Sequence, residues 1–407
     1  MTGTCPPGPP FRVGSLPTGR QEGAPIKEKY LSGKPRPSGR GASQEALEMA
    51  DVHIRIVNLT KKFGAVAAVD HVSLEIERGS FTTLLGPSGC GKTTTLRLMA
   101  GFYSADEGEI YFGDRCVNDV PSHQRNATMV FQDYALFPHM TIFENVSYGL
   151  RINKLPPKEI EARVEKTLKF LGLEGLGDRS PGMISGGQQQ RAALARSLVM
   201  EPEVLLLDEP LSNLDAKLRV SIRAELRQIQ KKLGITTTYV THDQEEALAL
   251  SDSIAVMNQG KVVQVGTPWD IYYRPRNTFV ADFVGIANFI RGKVTDSTPS
   301  GILMDTGEEA LRLDPRSSQA SVGQKVVLSV RPETILLSKQ PPEGQENVLT
   351  GRIKTHSFVG HFIRYWVLCG TREFIVDLHD PSGLGVLEGQ VFLQLHPSKL
   401  HLIPEGE

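Results

Sequence analysis

Long hydrophobic runs are missing from this 407-residue chain. No stretch approaches the roughly 20 apolar residues that cross a bilayer, and the first residues lack the apolar core of a secretory signal. Any membrane role is therefore expected to be peripheral, through a partner. An excess of one charge is missing too: 45 Lys and Arg stand against 46 Asp and Glu, for a formal net charge of -1. That balance gives no electrostatic reason to expect bulk nucleic-acid binding. Cysteine is scarce. The four residues (Cys5, Cys90, Cys116 and Cys369) are scattered without metal-ligand spacing, which points to a reduced, cytosolic compartment and away from a disulfide framework.

The length allows two to three domains with real cores. Residues 1–48 are dominated by proline and glycine, hold no apolar periodicity, and read as a disordered extension. Met49 directly precedes the first regular segment, so two readings stay open: the extension is translated, or synthesis starts at Met49. From Val52 the texture changes. VHIRIVNL alternates like a strand, and VSLEIERGSFTTLLG gives two strand segments around a Glu-Arg-Gly turn. The segment PPKEIEARVEKTLKFLGL places Ile160, Val164, Leu168 and Leu171 at helical spacing. VLLLDEP is wholly apolar before its acids, as a central parallel strand buried on both faces would be, and TTTYVTHD has the same form. The expectation is an α/β domain over 52–285 with a helical subdomain near 141–200. A β-rich domain follows over 288–407. Within it KVVLSVRPETILL and QVFLQLHPSKLHL align Pro332 on Pro397, a weak repeat of strand, proline stop and short strand.

GPSGCGKTT spans Gly86, Pro87, Ser88, Gly89, Cys90, Gly91, Lys92, Thr93 and Thr94, between an apolar strand segment and a predicted helix. Glycines let the backbone curl so that several N–H groups face a triphosphate. Lys92 adds a point charge there, and the Thr93 hydroxyl can ligate Mg²⁺. Cys90 occupies a variable position of the loop. Asp208, at the end of VLLLD, can reach the Mg²⁺ shell, and Glu209 can face a water opposite the γ-phosphate. Alone, such an acid pair is often a solvated turn; behind a phosphate loop it reads as metal ligand and base. About ninety residues after the glycine loop, ISGGQQQR puts Ser185 where a helix should begin, with Gly186 and Gly187 leaving backbone N–H groups open to an anion.

With these motifs in order, the chain resembles the ATP-binding subunit of an ABC transporter, densely over about 52–285 and more loosely beyond. The resemblance implies an α/β P-loop NTPase fold followed by an all-β, OB-like (TOBE) domain. It also implies roles for residues that are unremarkable alone. Phe63 in KKFG would stack on adenine, although a plain core role fits it too. Gln132 in VFQDYALFPHMT would sense Mg²⁺ and the γ-phosphate. Asp215 in SNLD would lie in a loop that communicates between two sites, and His242 in VTHD would be a switch near the γ-phosphate. Ser185, Gly186, Gly187 and Gln188 would grip the ATP held by the loop of a second, identical copy.

The same resemblance implies ATP and Mg²⁺ as cofactors, two integral-membrane permease subunits, a periplasmic or lipid-anchored solute-binding protein within the system, and no nucleic acid. The expected location is the cytoplasmic face of the cell's inner membrane. Tyr134, Leu136, Phe137 and Pro138 would receive a permease helix, or would in part fill the subdomain's own core. GTPWDIYYRPRNTFVADFVG and the β-rich region resemble importers, with polyamine or iron(III) ahead of sulfate, phosphonate or sugar as solute. The alternative is a non-transport ATPase of the same superfamily, acting in translation or DNA repair. Such proteins usually carry two cassettes or a long coiled coil, and neither is present here.

Overall fold

The computed structural model describes residues 51–315, 320–342, 346–380 and 385–405. The expected disorder of 1–48, the start at Met49, and Cys5 lie outside the described residues. The chain divides into two compact units between Pro268 and Trp269.

In the first unit, the strands in chain order are β1 (Val52–Phe63), β2 (Val66–Glu77), β3 (Phe81–Leu85), β4 (Glu107–Phe112), β5 (Arg115–Cys116), β6 (Ala127–Val130), β7 (Val204–Asp208), β8 (Thr236–Thr241), β9 (Ser253–Asn258) and β10 (Lys261–Gly266). One sheet is antiparallel, in the order β2-β1-β4-β5; the other runs β10-β9-β3-β8-β7-β6. In the second sheet β9, β3, β8, β7 and β6 are parallel. β3, β7 and β8 are buried at every position, which is why their sequences are continuously apolar or Thr-rich and do not alternate. Leu205 and Leu207 pack into a core with the helices on one face. Val204 and Leu206 enter a second core with Ile54, Ile56 and Leu96 on the other, as the two-residue period of a strand requires.

Helix α1 (Lys92–Ala100) follows β3 and stops at Gly101, which takes the left-handed conformation of a helix stop. The helical insertion holds α2 (Ile142–Ile152), α3 (Pro157–Phe170) and α4 (Gly186–Leu198). Ile160, Val164 and Leu168 lie on the buried face of α3, and Leu171 is buried just past its end. A capping box of Thr141 with Glu144 starts α2. Helices α5 (Ala216–Leu233) and α6 (Gln244–Leu250) complete the unit.

The second unit begins earlier than the expected boundary near 285. It takes in α7 (Pro268–Tyr273), from Trp269 on, and α8 (Thr278–Phe283). These helices are tied to it by Ala281, which packs with Val327 and Ile403, and by Arg331, almost fully buried, whose guanidinium donates to the carbonyls of Tyr272, Ala281 and Ile286. It also lies over the Tyr272 ring at 4.1 Å. The expected all-β domain is present as two five-stranded sheets around one core. Its strands are β11 (Asn288–Thr298), β12 (Gly301–Asp305), β13 (Ala310–Leu313), β14 (Lys325–Val330), β15 (Ile335–Ser338), β16 (Val348–Phe358), β17 (Phe362–Cys369), β18 (Arg372–His379), β19 (Gln390–Leu395) and β20 (Leu400–Pro404).

The repeat read from sequence has a structural counterpart. Pro332 and Pro397 each open a single 3₁₀ turn, after β14 and β19 respectively. Each turn carries the chain from one sheet to the other. β14 then pairs with β20, and β15 with β19, so the two copies exchange their short second strands.

Candidate active site

Four loops leave the carboxyl ends of four adjoining parallel strands: Gly86 after β3, Gln132 shortly after β6, Glu209 after β7 and His242 after β8. That edge is where open α/β sheets bind ligands, because the strand ends leave a crevice there.

The glycine loop is shaped by close approach. A Cβ on Gly86 would lie 2.3 Å from the Met257 carbonyl oxygen and 2.6 Å from Cys90 Sγ. Gly91 has φ 103°, and a Cβ there would meet the Ala68 carbonyl oxygen at 2.2 Å. Gly89 is also left-handed, but its Cβ direction is open. Ser88 and Gly89 are exposed, Pro87 and Thr94 half-buried. The Lys92 ammonium is buried within its own loop, donating to the carbonyls of Gly86 at 2.7 Å and Pro87 at 2.9 Å. Burial pushes the Cys90 thiol above its ordinary pKa, so the side chain packs as a small apolar group.

Thr93 Oγ1 donates to Asp208 Oδ1 at 2.9 Å. Burial raises the Asp208 carboxyl pKa, opposed by the Thr93 hydrogen bond and by the charges of Arg97 and Lys92. A carboxylate so desolvated gains from an approaching cation. Among the described residues no three acidic, histidine or cysteine side chains gather as a metal cage. Thr93 Oγ1 and Asp208 Oδ1 offer two oxygens, a set that fits an ion completing its shell with phosphate and water, as Mg²⁺ does.

Glu209 departs from strand geometry. Its φ of 44° is left-handed, and its N–H still bonds the Val240 carbonyl at 3.0 Å. The Ser212 N–H and hydroxyl both donate to the Glu209 carbonyl. A strained non-glycine residue held in this way is a mark of functional sites, and sequence reading gave no sign of it. Glu209 Oε2 lies 3.0 Å from His242 Nδ1. His242 does not cap the helix that follows; Asp243 does, accepting from Glu245 and Glu246 N–H.

Phe63 is 47% exposed, edge-on to Tyr103 at 5.4 Å, so it is a surface aromatic and not core. The Gln132 side chain is exposed, while its carbonyl accepts from Asn213 Nδ2 at 2.9 Å. Asp215 caps α5 by accepting from Leu218 N–H.

Ser185 caps α4, with its hydroxyl and the Gln188 side chain joined in a reciprocal capping box. Gly186 and Gly187 occupy the first two helical positions, whose N–H groups have no acceptor within a helix. A Cβ on Gly186 would stand 3.3 Å from Leu214, and one on Gly187 3.4 Å from Leu218 and Ile222. Among the described residues, no hydrogen bond or ion pair joins 185–188 to the loop 86–94. The four loops at the strand ends are thus linked to one another, whereas the capped α4 terminus meets the loop after β7 through Leu214 and makes no such bond to the loop 86–94.

The comparisons with known proteins fit this geometry. The family model described as ABC transporter matches residues 69–212, and the TOBE domain matches 328–403. The spermidine/putrescine import ATP-binding protein PotA of Desulfitobacterium hafniense (strain Y51) is 43% identical over 87% of this chain and 98% of its own. The chain belongs to the ABC transporter ATP-binding subunits. The Fe(3+) ions import ATP-binding protein FbpC of Fusobacterium nucleatum subsp. nucleatum is 42% identical over 87% of this chain and 94% of its own. Among solved structures, cbiO1 from Clostridium perfringens, described as part of the ABC transporter complex cbiONQ, matches at a TM-score of 0.50 and 33% identity, over 54% of this chain and 90% of its own. As a member of this family the chain is a nucleotide-binding ATPase.

Two residues that hold the loop after Gln132 were not legible in the sequence of this ABC ATPase. Arg196 donates to the carbonyls of Ala135 at 2.6 Å and Tyr134 at 2.8 Å, two residues with left-handed backbone. Asn145 binds the same loop through Phe137 N–H and the carbonyls of Phe137, Met140 and Thr141. The loop divides. Tyr134 is buried and belongs to the subdomain core; Phe137 is half-buried against Tyr148 at 4.8 Å; Pro138 is exposed.

Proposed function

We propose that this chain is the ATP-hydrolysing subunit of an import complex, working as a head-to-tail pair of identical copies. In each pair the loop Gly86–Thr94 of one copy and the helix terminus Ser185–Gln188 of the other enclose one ATP. The observation that supports the reading is that one chain holds a glycine loop set beside Lys92, Asp208, Glu209 and His242 and, apart from it, a capped helix terminus with open N–H groups, and among the described residues no hydrogen bond or ion pair joins the two.

In this reading the loop N–H groups and Lys92 bind the β- and γ-phosphates, and Phe63 packs on the adenine. Thr93 and Asp208 hold Mg²⁺, with Gln132 near it. When bound, that ion offsets charge on the phosphate oxygens. Glu209 orients a water and accepts its proton; His242, bonded to the same carboxylate, holds Glu209 in register. Each triphosphate gains the contacts of Ser185, Gly186, Gly187 and Gln188 only when both copies meet, so ATP favours closure and hydrolysis releases it. Asp215 lies where one copy's state reaches the other.

The partners of this reading are a second copy, two membrane permease subunits that receive the loop around Phe137 and Pro138, and a solute-binding protein. Its place is the cytoplasmic face of the membrane, and its solute is a polyamine or iron(III). Support for the solute is the near-equal identity to relatives named for spermidine/putrescine and for Fe(3+).

The test has two levels. Ser185→Arg is expected to abolish turnover while ATP binding persists, and Glu209→Gln is expected to trap an ATP-bound dimer. Normal turnover by the Ser185 variant would remove the shared site. Uptake of labelled spermidine, putrescine and iron(III) by a strain lacking this gene decides the solute; unchanged uptake of all three overturns that assignment.

A further inference from the structure

The guanidinium of Arg219 spans two of the loops that enclose the site. It lies in the first turns of α5. One amino group donates to the Leu214 carbonyl at 3.1 Å, and the other to Asp243 Oδ2 at 3.3 Å. Leu214 precedes Asp215 and packs 3.3 Å from where a Cβ of Gly186 would stand. Asp243 follows His242, and its other oxygen accepts from Glu245 N–H at 2.9 Å and Glu246 N–H at 3.2 Å. One cation thus bridges the corner that touches the α4 terminus and the carboxylate that starts the helix behind His242.

The bridge is also incompletely made. Arg219 Nε is buried without a hydrogen-bond partner, and Glu246 Oε1 lies 3.8 Å from it. Glu246 itself is buried and anchored by the hydroxyls of Tyr239 and Thr241 through its other oxygen. A shift of about an ångström would bring Nε into hydrogen-bond range of Glu246. The guanidinium therefore faces two carboxylates and is hydrogen-bonded to one of them.

We propose that Arg219 is a positioning residue for hydrolysis: it couples the Leu214–Asp215 corner to Asp243 and so sets His242 against Glu209. The proposal rests on the shared-site reading above, in which that corner faces the second copy.

The test uses the full chain and compares wild type with Arg219→Gln, Arg219→Lys, Asp243→Asn and the Arg219→Gln/Asp243→Asn pair. Asparagine keeps the helix cap while removing the charge. Arg219→Gln is expected to lower kcat roughly tenfold with the KM for ATP within about twofold, since the contact serves the transition state and not nucleotide binding. Arg219→Lys should recover part of the loss. The pair should lose no more than the worse single variant, as for residues acting on one path. A kcat near wild type in Arg219→Gln, a rise in KM matching the fall in kcat, or losses that multiply would each overturn it. If Arg219→Gln fails to fold, Arg219→Lys and Asp243→Asn carry the comparison by the same kcat-against-KM criterion. Glu209→Gln separates the two levels. If it hydrolyses ATP normally, the functional reading falls and this inference with it; if it is inactive while Arg219→Gln is not, only the present inference falls.

Discussion

Thr93 and Asp208 are 115 residues apart in sequence, yet Oγ1 of one donates to Oδ1 of the other at 2.9 Å. The pairing follows from topology. β3 and β7 both flank β8, so the start of α1 and the end of β7 emerge on the same edge of the sheet. We expect Asp208→Asn to lower turnover roughly a hundredfold, the scale of losing one group that stabilises transition-state charge. ATP affinity in the absence of Mg²⁺ should change little. Titrating MgCl₂ against ATPase rate and nucleotide binding measures both; an unaltered Mg²⁺ dependence would remove Asp208 from the metal site.

The loop glycines should differ in what alanine costs. Gly86→Ala forces a methyl onto the Met257 carbonyl, and overpacking of this kind costs on the order of 3 kcal/mol. Gly89→Ala meets nothing, and only the left-handed backbone at φ 78° opposes it, at about 1 kcal/mol. Thermal unfolding of the two variants should rank them in that order.

His53 should make stability pH-dependent. Its Nδ1 lies 2.6 Å from Thr236 Oγ1, whose hydroxyl already accepts from Gly79 N–H and so has its own proton free for the ring. Burial lowers the His53 pKa, with the Arg78 charge adding to it and Glu203 opposing. The unfolded chain, with an ordinary value near 6.5, then takes up a proton that the folded chain refuses. Its contribution is full above that value and declines as pH falls toward the lowered, folded one. Denaturant midpoints between pH 7 and 5 should fall more steeply for the wild type than for His53→Gln.

Arg196→Met should loosen the segment that follows Gln132. It removes both donors to the carbonyls of Tyr134 and Ala135 while keeping most of the apolar stem. Limited proteolysis should cut within 133–140 sooner than in wild type, with other sites unchanged.

In the second unit, Arg331→Met strips the donors from three carbonyls at a buried position. A loss of roughly 3 kcal/mol is expected from orphaned buried polar groups. Unfolding of the isolated transition of that unit by calorimetry should register it, and a shift confined to the first unit would contradict the assignment of α7 and α8.

The sequence alone determined whatever is local. The glycine spacing of the loop, an apolar strand ahead of it, the acids closing VLLLDE, Ser185 as a helix cap and the helical spacing of Ile160, Val164 and Leu168 are all patterns within one or two turns of chain. Even the proline-centred repeat could be read, because each copy is a short local unit. Only the tertiary structure decided which loops share an edge: that Glu209 bends left-handed onto His242, that Tyr134 turns inward while Pro138 does not, that Asn213 holds the Gln132 carbonyl, and that the two repeats trade strands. The physical reason is range. Capping and periodicity act over a few residues and leave a mark in the local sequence, whereas strand order is fixed by burial summed over the whole sheet, and arginines such as Arg196, Arg219 and Arg331 find their carbonyl partners only after that order exists.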